Sequence, residues 1–535
     1  MGLRPTDDDE NTLVTPSSPS RAASVNERYP MPTSSDFQGS GQLGPISGGF
    51  STVREGKRMT QTEVGTKRLP AVLSPWQALG IIVGGTIGAS IFLVPSVIAQ
   101  RVPYLAGALA IWVIGAAITL ASVLTISELA AMLPDAGGGY AYIRAALGSL
   151  FGFLFAWTDA FLIRAGAAAA VGFTFGIYFA QIVAPPVGLP LPLWEGGAAI
   201  VLIVVLSVLN SLGARAGAGV QVAGMAMKTL ALASALLLPL LLWHGANNLK
   251  TAPFFPPAGT ALGAGILFAM TPVMWTYGGW EQLAHLAEEV RDPGKNLPRI
   301  FALGLATIAL LFLAVVVGIN YVLPYNAVAQ SEAVGADLFK ALFGPAGAQL
   351  ISVVILLSAV VTANGAILAG SRAAFAVARD GDAPQWLGRV NERFQAPANG
   401  VMAIGGWAIL LIALSVAAMA FPAPASWPPF ARAAWIALQH RPLFDILISY
   451  VMFGYLLLQA LVALSLIMLR RAHPDWRRPF RVPGYPFTPL ASVAATAFLM
   501  FAVARSNTVE VFAGLCLILA GLPVWWIYNR RYPRR

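Results

Sequence analysis

The sequence predicts an all-α membrane protein of about twelve transmembrane helices, built as an inverted repeat of five plus five with two helices over. Three observations carry that expectation. The 535 residues are 57% hydrophobic and 11% charged, with a mean hydropathy of +0.70, far from the roughly 25% charge of a soluble domain. About twelve apolar runs follow Trp76, each near the ~20 residues that a helix needs to cross a ~30 Å hydrocarbon core. Two of them, the first and the sixth, are interrupted by glycine, at Gly84-Gly85-Thr86-Ile87-Gly88-Ala89-Ser90 and at Tyr277-Gly278-Gly279-Trp280.

In chain order, residues 1–70 are rich in Ser, Pro, Gly and charge, with runs such as Asp7-Asp8-Asp9-Glu10, and have too little apolar surface to fold. They are expected to form a disordered tail. No cleavable leader is visible, because the first apolar stretch begins near Ala71 and is long enough to act as an uncleaved anchor. The transporter domain is expected over 71–529, with spans at 76–99, 105–133, 149–183, 195–212, 222–243, 261–285, 300–323, 347–371, 401–421, 443–469, 487–504 and 509–529. Residues 530–535 remain as a short carboxyl-terminal tail.

Orientation follows from the cationic loops, which are retained on the cytoplasmic side. Of the 34 Lys and Arg, 26 fall in the two tails and in the loops after spans 2, 4, 6, 8 and 10; only Arg101, Lys250, Lys340, Arg432, Arg441 and Arg505 fall opposite. Both termini are therefore expected to be cytoplasmic. The net charge of +10 reflects this asymmetry and the attraction to anionic lipid, and gives no reason to expect a nucleic-acid partner. The single cysteine, Cys516, excludes an internal disulfide. Four scattered histidines give no metal cluster, no cofactor motif is present, and no phosphate-binding loop ends in Lys-Ser or Lys-Thr, so the energy source is expected to be a gradient.

An interrupted helix leaves main-chain N–H and C=O groups bare at membrane depth, where each costs several kcal/mol unless protein, water or a solute satisfies it. Gly84 and Gly88 also form a GxxxG pair, which commonly marks close helix packing. The sixth span weakens that plainer reading, because Pro272 precedes its two glycines and Trp280-Glu281-Gln282 follows. Corresponding interruptions in two repeated halves point to a solute site at the midplane. Half-helix ends facing a gap offer N–H groups to a carboxylate and carbonyls to an ammonium, which is what a zwitterionic amino acid presents.

From these residues the chain resembles the amino acid-polyamine-organocation superfamily, most closely its L-type amino-acid transporter branch, over roughly residues 70–485. The resemblance rests on the span 1 stretch Ile82 to Phe92 and on Glu128-Leu129 to Pro134 followed by Gly137-Gly138-Gly139-Tyr140. It continues with Tyr277-Gly278-Gly279-Trp280 ahead of Glu288-Glu289, Asn364-Gly365 with Ser371-Arg372, and Arg478-Pro479-Phe480-Arg481. It implies a solute carboxylate on the backbone of Gly88, Ala89 and Ser90, and an amine on carbonyls near Ile87, Trp275 and Thr276. Tyr277 and Gly278 complete the stretch, Met274 and Asn364 are lining candidates, and Trp275 takes the position of an aromatic outer gate. Lys228, roughly 10 Å into span 5 by helical rise, is implied to face the first break where sodium-driven relatives hold an ion, against the simpler reading of a lysine snorkelling to the interface.

Two departures are visible. Gly88-Ala89-Ser90 stands where the family has Gly-Ser-Gly or a close variant, and residues 184–194 lack the cysteine through which animal members bind a partner subunit. No disulfide-linked subunit is therefore expected, and the chain is similar to stand-alone prokaryotic members of an inner membrane. Asp159 and Arg164 lie five apart, about 140° around an ideal helix, so the expectation is that each has another partner. Glu128, Glu288, Glu289 and Arg379 read individually as solvated, with inner-side ion pairs as the resemblance's alternative. The expected function is a secondary amino-acid transporter, a sodium-independent exchanger of neutral amino acids; proton-coupled uptake and a non-transporting amino-acid sensor are the alternatives. An enzyme is not expected, since no nucleophile, base and orienter are visible.

Overall fold

The computed structural model describes residues 68–256, 262–331, 333–424, 426–428, 432, 435–436, 443–506 and 508–531. All but the last three residues of the expected amino-terminal tail, and residues 532–535, lie outside them. Among the described residues the chain is helical throughout, with one isolated β-bridge, between Leu73 and Val290.

The first span is divided. Helix α1 (Pro75–Thr86) starts at Ser74, whose hydroxyl accepts from the Gln77 amide while the Gln77 side chain accepts from the Ser74 amide, and Pro75 occupies the first helical position. It stops where Ile87 and Gly88 turn extended, and after a short 3₁₀ turn (Ala89–Phe92) the span resumes as α2 (Val94–Arg101). Helix α3 (Leu105–Met132) is the second span. A short helix, α4 (Gly139–Leu147), precedes a third span made of α5 (Ser149–Trp157), a π-helical turn (Thr158–Arg164) and α6 (Ala165–Ile182). Spans 4 and 5 are α7 (Leu191–Ser211) and α8 (Ala214–Leu242).

The sixth span is divided in its turn, into α9 (Leu262–Thr276) and the single-turn α10 (Gln282–His285). Then follow α11 (Pro293–Val322), two short helices α12 (Tyr325–Gln330) and α13 (Val334–Phe343), α14 (Pro345–Arg379) and α15 (Ala398–Ala420). The last three spans are α16 (Leu443–Ala472), α17 (Phe487–Ser506) and the pair α18 (Thr508–Leu519) and α19 (Gly521–Arg531). Nine described helices are long and apolar enough to cross a membrane, and the divided first, sixth and twelfth spans complete the expected twelve. Spans 5, 7 and 8 run longer than their apolar runs, because α8, α11 and α14 continue into polar sequence at one end.

The arginine-rich end of the bundle is closed by buried ion pairs. Arg372 on α14 meets Glu289 at 2.8 Å with both side chains out of solvent, and Arg379 meets Glu288 at 2.7 Å. Glu288 also accepts from the amides of Leu69 and Ala136, which ties the segment before α1 and the loop after α3 to the end of span 6. The Leu73 amide donates to Glu289 O and the Arg291 amide to Leu73 O, a two-bond strap beside it. Glu128 takes Arg470 Nε at 2.8 Å and the Val482 amide. Tyr140 donates to Asp380; burial and the Asp380 carboxylate raise the phenol's pKa, so it remains a donor. The plain solvated reading of these acids is thus replaced by pairing: loops folded back over the helix ends exclude water, which single-residue reasoning does not register. A cavity of about 410 Å³ lined by Arg68, Asp135, Tyr140, Arg144 and Arg379 lies at this closed end, and its lining includes none of the break residues.

Removing one member of a fully buried pair strands its partner, at a cost of about 3–5 kcal/mol. Glu289→Gln is expected to lower the unfolding midpoint of the detergent-purified protein by several degrees, and an unchanged midpoint would show that the pair contributes no net stability.

Candidate functional site

The two breaks meet. Gly279 has φ +108°, in the region that side chains rarely enter, and a Cβ placed on it would lie 2.8 Å from the Gly85 carbonyl oxygen. Only glycine lets the main chain of span 6 approach that of span 1 this closely. Gly85 makes room for a side chain of α10, since a Cβ on it would sit 2.7 Å from Gln282 Oε1.

Leaving the helix frees backbone groups on both sides. The Ile87 amide still reaches Val83 O, but the Gly88 and Ser90 amides have no acceptor among the described residues. Gly84 O, which a continuous helix would bond to the Gly88 amide, instead accepts from Lys228 Nζ at 2.7 Å; the same ammonium donates to Thr362 Oγ1 on α14 at 3.1 Å. Lys228 is fully buried. The lysine therefore faces the broken span, and the snorkelling reading is excluded by that burial.

In span 6 the Tyr277 amide closes the last α-turn on Val273 O, and Gly278 tightens to a 3₁₀ bond on Trp275 O. The Gly279 amide then donates to the Glu281 side chain, Oε2, at 2.9 Å. Among the remaining predicted residues, Ile87 and Thr276 are buried, with Thr276 Oγ1 donating to Pro272 O, while Gly88, Ser90, Met274, Trp275 and Gly278 are partly exposed. Ala89 contributes backbone to the 3₁₀ turn. A Cβ added to Gly88 would meet nothing closer than 3.8 Å, so there is space beside that main chain. The Tyr277 ring packs between Trp112 and Phe312, with its hydroxyl on Trp112 O. The Asn364 carboxamide is held by Asn210 at 2.8 Å and by Gly217 O at 2.9 Å, which locks α14 to α7 and α8.

Asp159 and Arg164 correct the sequence reading. The chain between them is a π-turn, in which the Ala165 amide bonds Ala160 O, five residues back; residues five apart then stack on one face, and Arg164 Nε reaches Asp159 Oδ1 at 3.1 Å. The expectation of a further partner also holds, since Arg164 binds Glu281 Oε1 at 3.2 Å. Tyr455 on α16 donates to Glu281 Oε2 at 3.3 Å, and His285 Nε2 lies 3.4 Å from Asp159 Oδ2. Sequence reasoning assumed 3.6-residue spacing and missed this assembly, although an acid, a base and an aspartate inside apolar runs were its available signal.

The chain is similar to known amino-acid transporters. The amino acid permease family model matches residues 73–522. The serine/threonine exchanger SteT of Bacillus subtilis is 27% identical over 463 residues, 85% of this chain and 96% of that protein. The human b(0,+)-type amino acid transporter 1 is 25% identical, with 90% and 92% covered, and the mouse large neutral amino acids transporter small subunit 2 is 27% identical, with 84% and 79% covered.

Gly279→Ala forces a strained backbone angle and a clash with Gly85 O. It is expected to abolish amino-acid flux in reconstituted vesicles while the protein still inserts; wild-type flux would show that the two breaks need not touch.

Proposed function

The chain belongs to the amino acid permease family, and from that premise we propose that it is a sodium-independent exchanger of neutral amino acids, working by alternating access around the two breaks. Its relatives are amino-acid transporters and not enzymes, and amino-acid transport across a membrane is its activity. The observation that carries the finer reading is the Lys228 ammonium on Gly84 O. An amine there satisfies the freed carbonyl and occupies the place where a sodium ion would otherwise bind.

In this reading the amino acid's carboxylate accepts from the amides of Gly88, Ala89 and Ser90, and its ammonium donates to carbonyls of Ile87, Trp275 and Thr276. Trp275 covers the solute from outside. Gly278 keeps the approach open, and Met274 lines it. Tyr277 and Asn364 act from behind, the first by anchoring span 6 on α3 and α11, the second by fixing α14. Space beside Gly88, narrowed by the Ser90 hydroxymethyl, suits a small uncharged side chain, in keeping with the serine/threonine exchanger among the relatives. The arginine-rich closed end is the cytoplasmic one, the amino acid enters from the opposite face, and the protein acts in a bacterial inner membrane without a disulfide-linked subunit.

In vesicles loaded with L-serine, uptake of labelled L-serine is expected to run equally in sodium and choline buffers and to stop when the internal amino acid is removed. Lys228→Ala leaves a buried carbonyl unpaired, worth about 1–3 kcal/mol, and should abolish or strongly slow uptake with the protein still inserted. A steep sodium requirement, or wild-type flux in that variant, would overturn the lysine's assignment.

A further inference from the structure

The buried cluster beside the span 6 break has an unbalanced charge. Asp159 and Glu281 bring two negative charges and Arg164 one positive, and a neutral His285 leaves the set at minus one within the bilayer. All four side chains are at least nine-tenths out of solvent. An uncompensated charge at that depth is costly, and the neighbours do not cancel it. From α16 comes the uncharged Tyr455; α1 carries no ionisable residue; the nearest arginine of α14, Arg372, is already paired with Glu289. The loop before α4 contacts the cluster at Gly137, which is uncharged and whose amide donates to His285 O.

The polar atoms show where compensation fits. Asp159 Oδ2 and His285 Nδ1 are buried without a hydrogen-bond partner, and His285 Nε2 lies 3.4 Å from Asp159 Oδ2 and 3.4 Å from Arg164 Nη2, which can only donate to it. A cavity of about 30 Å³ lined by Asp159, Arg164, Glu281, His285 and Tyr455 adjoins them, the room of about one water. We infer that the Asp159–His285 pair is a proton-binding site, and that its proton is linked to the substrate-carrying break through Arg164, Glu281 and the Gly279 amide.

That linkage consists of contacts already described. A proton held between His285 Nε2 and Asp159 Oδ2 brings the cluster to neutrality and displaces the Arg164 Nη2 contact with that ring nitrogen, so the guanidinium is held by Asp159 Oδ1 and Glu281 Oε1. Glu281 Oε1 takes the guanidinium, and its Oε2 takes the Gly279 amide at the break. Protonation thus favours the arrangement in which spans 3, 6 and 10 are drawn together around the break. Loss of the proton restores the excess negative charge and loosens that arrangement. Because linkage is reciprocal, a proton that favours the substrate-binding form must itself bind more tightly when substrate is present.

The inference rests on the transport reading for its consequence but not for the site itself, and two measurements separate the two. Titration of detergent-purified wild type is expected to take up about one more proton than His285→Gln between about pH 8 and about pH 4.5, a span that covers the ordinary histidine range and extends below it; identical titrations overturn the site. In vesicles at equal internal and external pH, L-serine exchange by the wild type is expected to fall about fivefold or more as pH rises over that range, and to be flat in His285→Gln. Exchange that is flat in both proteins, or equally pH-dependent in both, overturns the linkage. An extra proton with no exchange at any pH leaves the site standing and defeats the transport reading instead. Asp159→Asn provides the second variant should His285→Gln not purify as a monodisperse protein.

Discussion

A main-chain carbonyl stripped of its helical partner and satisfied by an amine from another helix is the contact on which the rest of this structure turns. Gly84 O loses the Gly88 amide when α1 ends, and Lys228 replaces it at 2.7 Å. Within hydrocarbon neither group could stand alone: the carbonyl would be unpaired and the ammonium unsolvated. Each makes the other tolerable, and together they hold the first span open where the amides of Gly88 and Ser90 have no acceptor among the described residues.

The neighbouring architecture keeps that opening narrow. Gly279 lets the broken spans touch main chain to main chain, and Gly85 leaves room for the Gln282 side chain of α10 against α1. Buried pairs at the arginine-rich end, Glu288 with Arg379 and Glu289 with Arg372, tie the short half of span 6 to span 8. Pairs of this kind have a large desolvation penalty and a large Coulomb gain that nearly offset each other. The π-turn in span 3 extends the same theme, since one added residue in the helical register brings Asp159, Arg164 and Glu281 into a single polar core next to the second break.

Much of this was legible in the residues. Twelve apolar runs predicted twelve spans, glycines predicted both breaks, and a lysine set deep in span 5 was expected to face the first of them; the comparisons agree on the family. What periodicity could not supply was any departure from 3.6 residues per turn. Asp159 and Arg164 were therefore placed on different faces, and their meeting depends on a π-turn that packing imposes. Nor could it show that Glu128, Glu288 and Glu289 are sealed by loops from distant parts of the chain, because burial of a helix end depends on what folds over it. Asn364 and Tyr277 were legible as polar residues near the site, while their present partners, Asn210 and Trp112, lie on helices far off in sequence.

The central claim is that bare main chain at the two breaks is the surface an amino acid covers. Amide hydrogen exchange of the reconstituted protein at Gly88 to Ser90 and at Gly278 to Glu281, with and without a saturating mixture of the twenty amino acids, tests it most directly. The account predicts slowed exchange at both stretches when amino acids are present. Unchanged exchange at both stretches, in protein that transports, would contradict it.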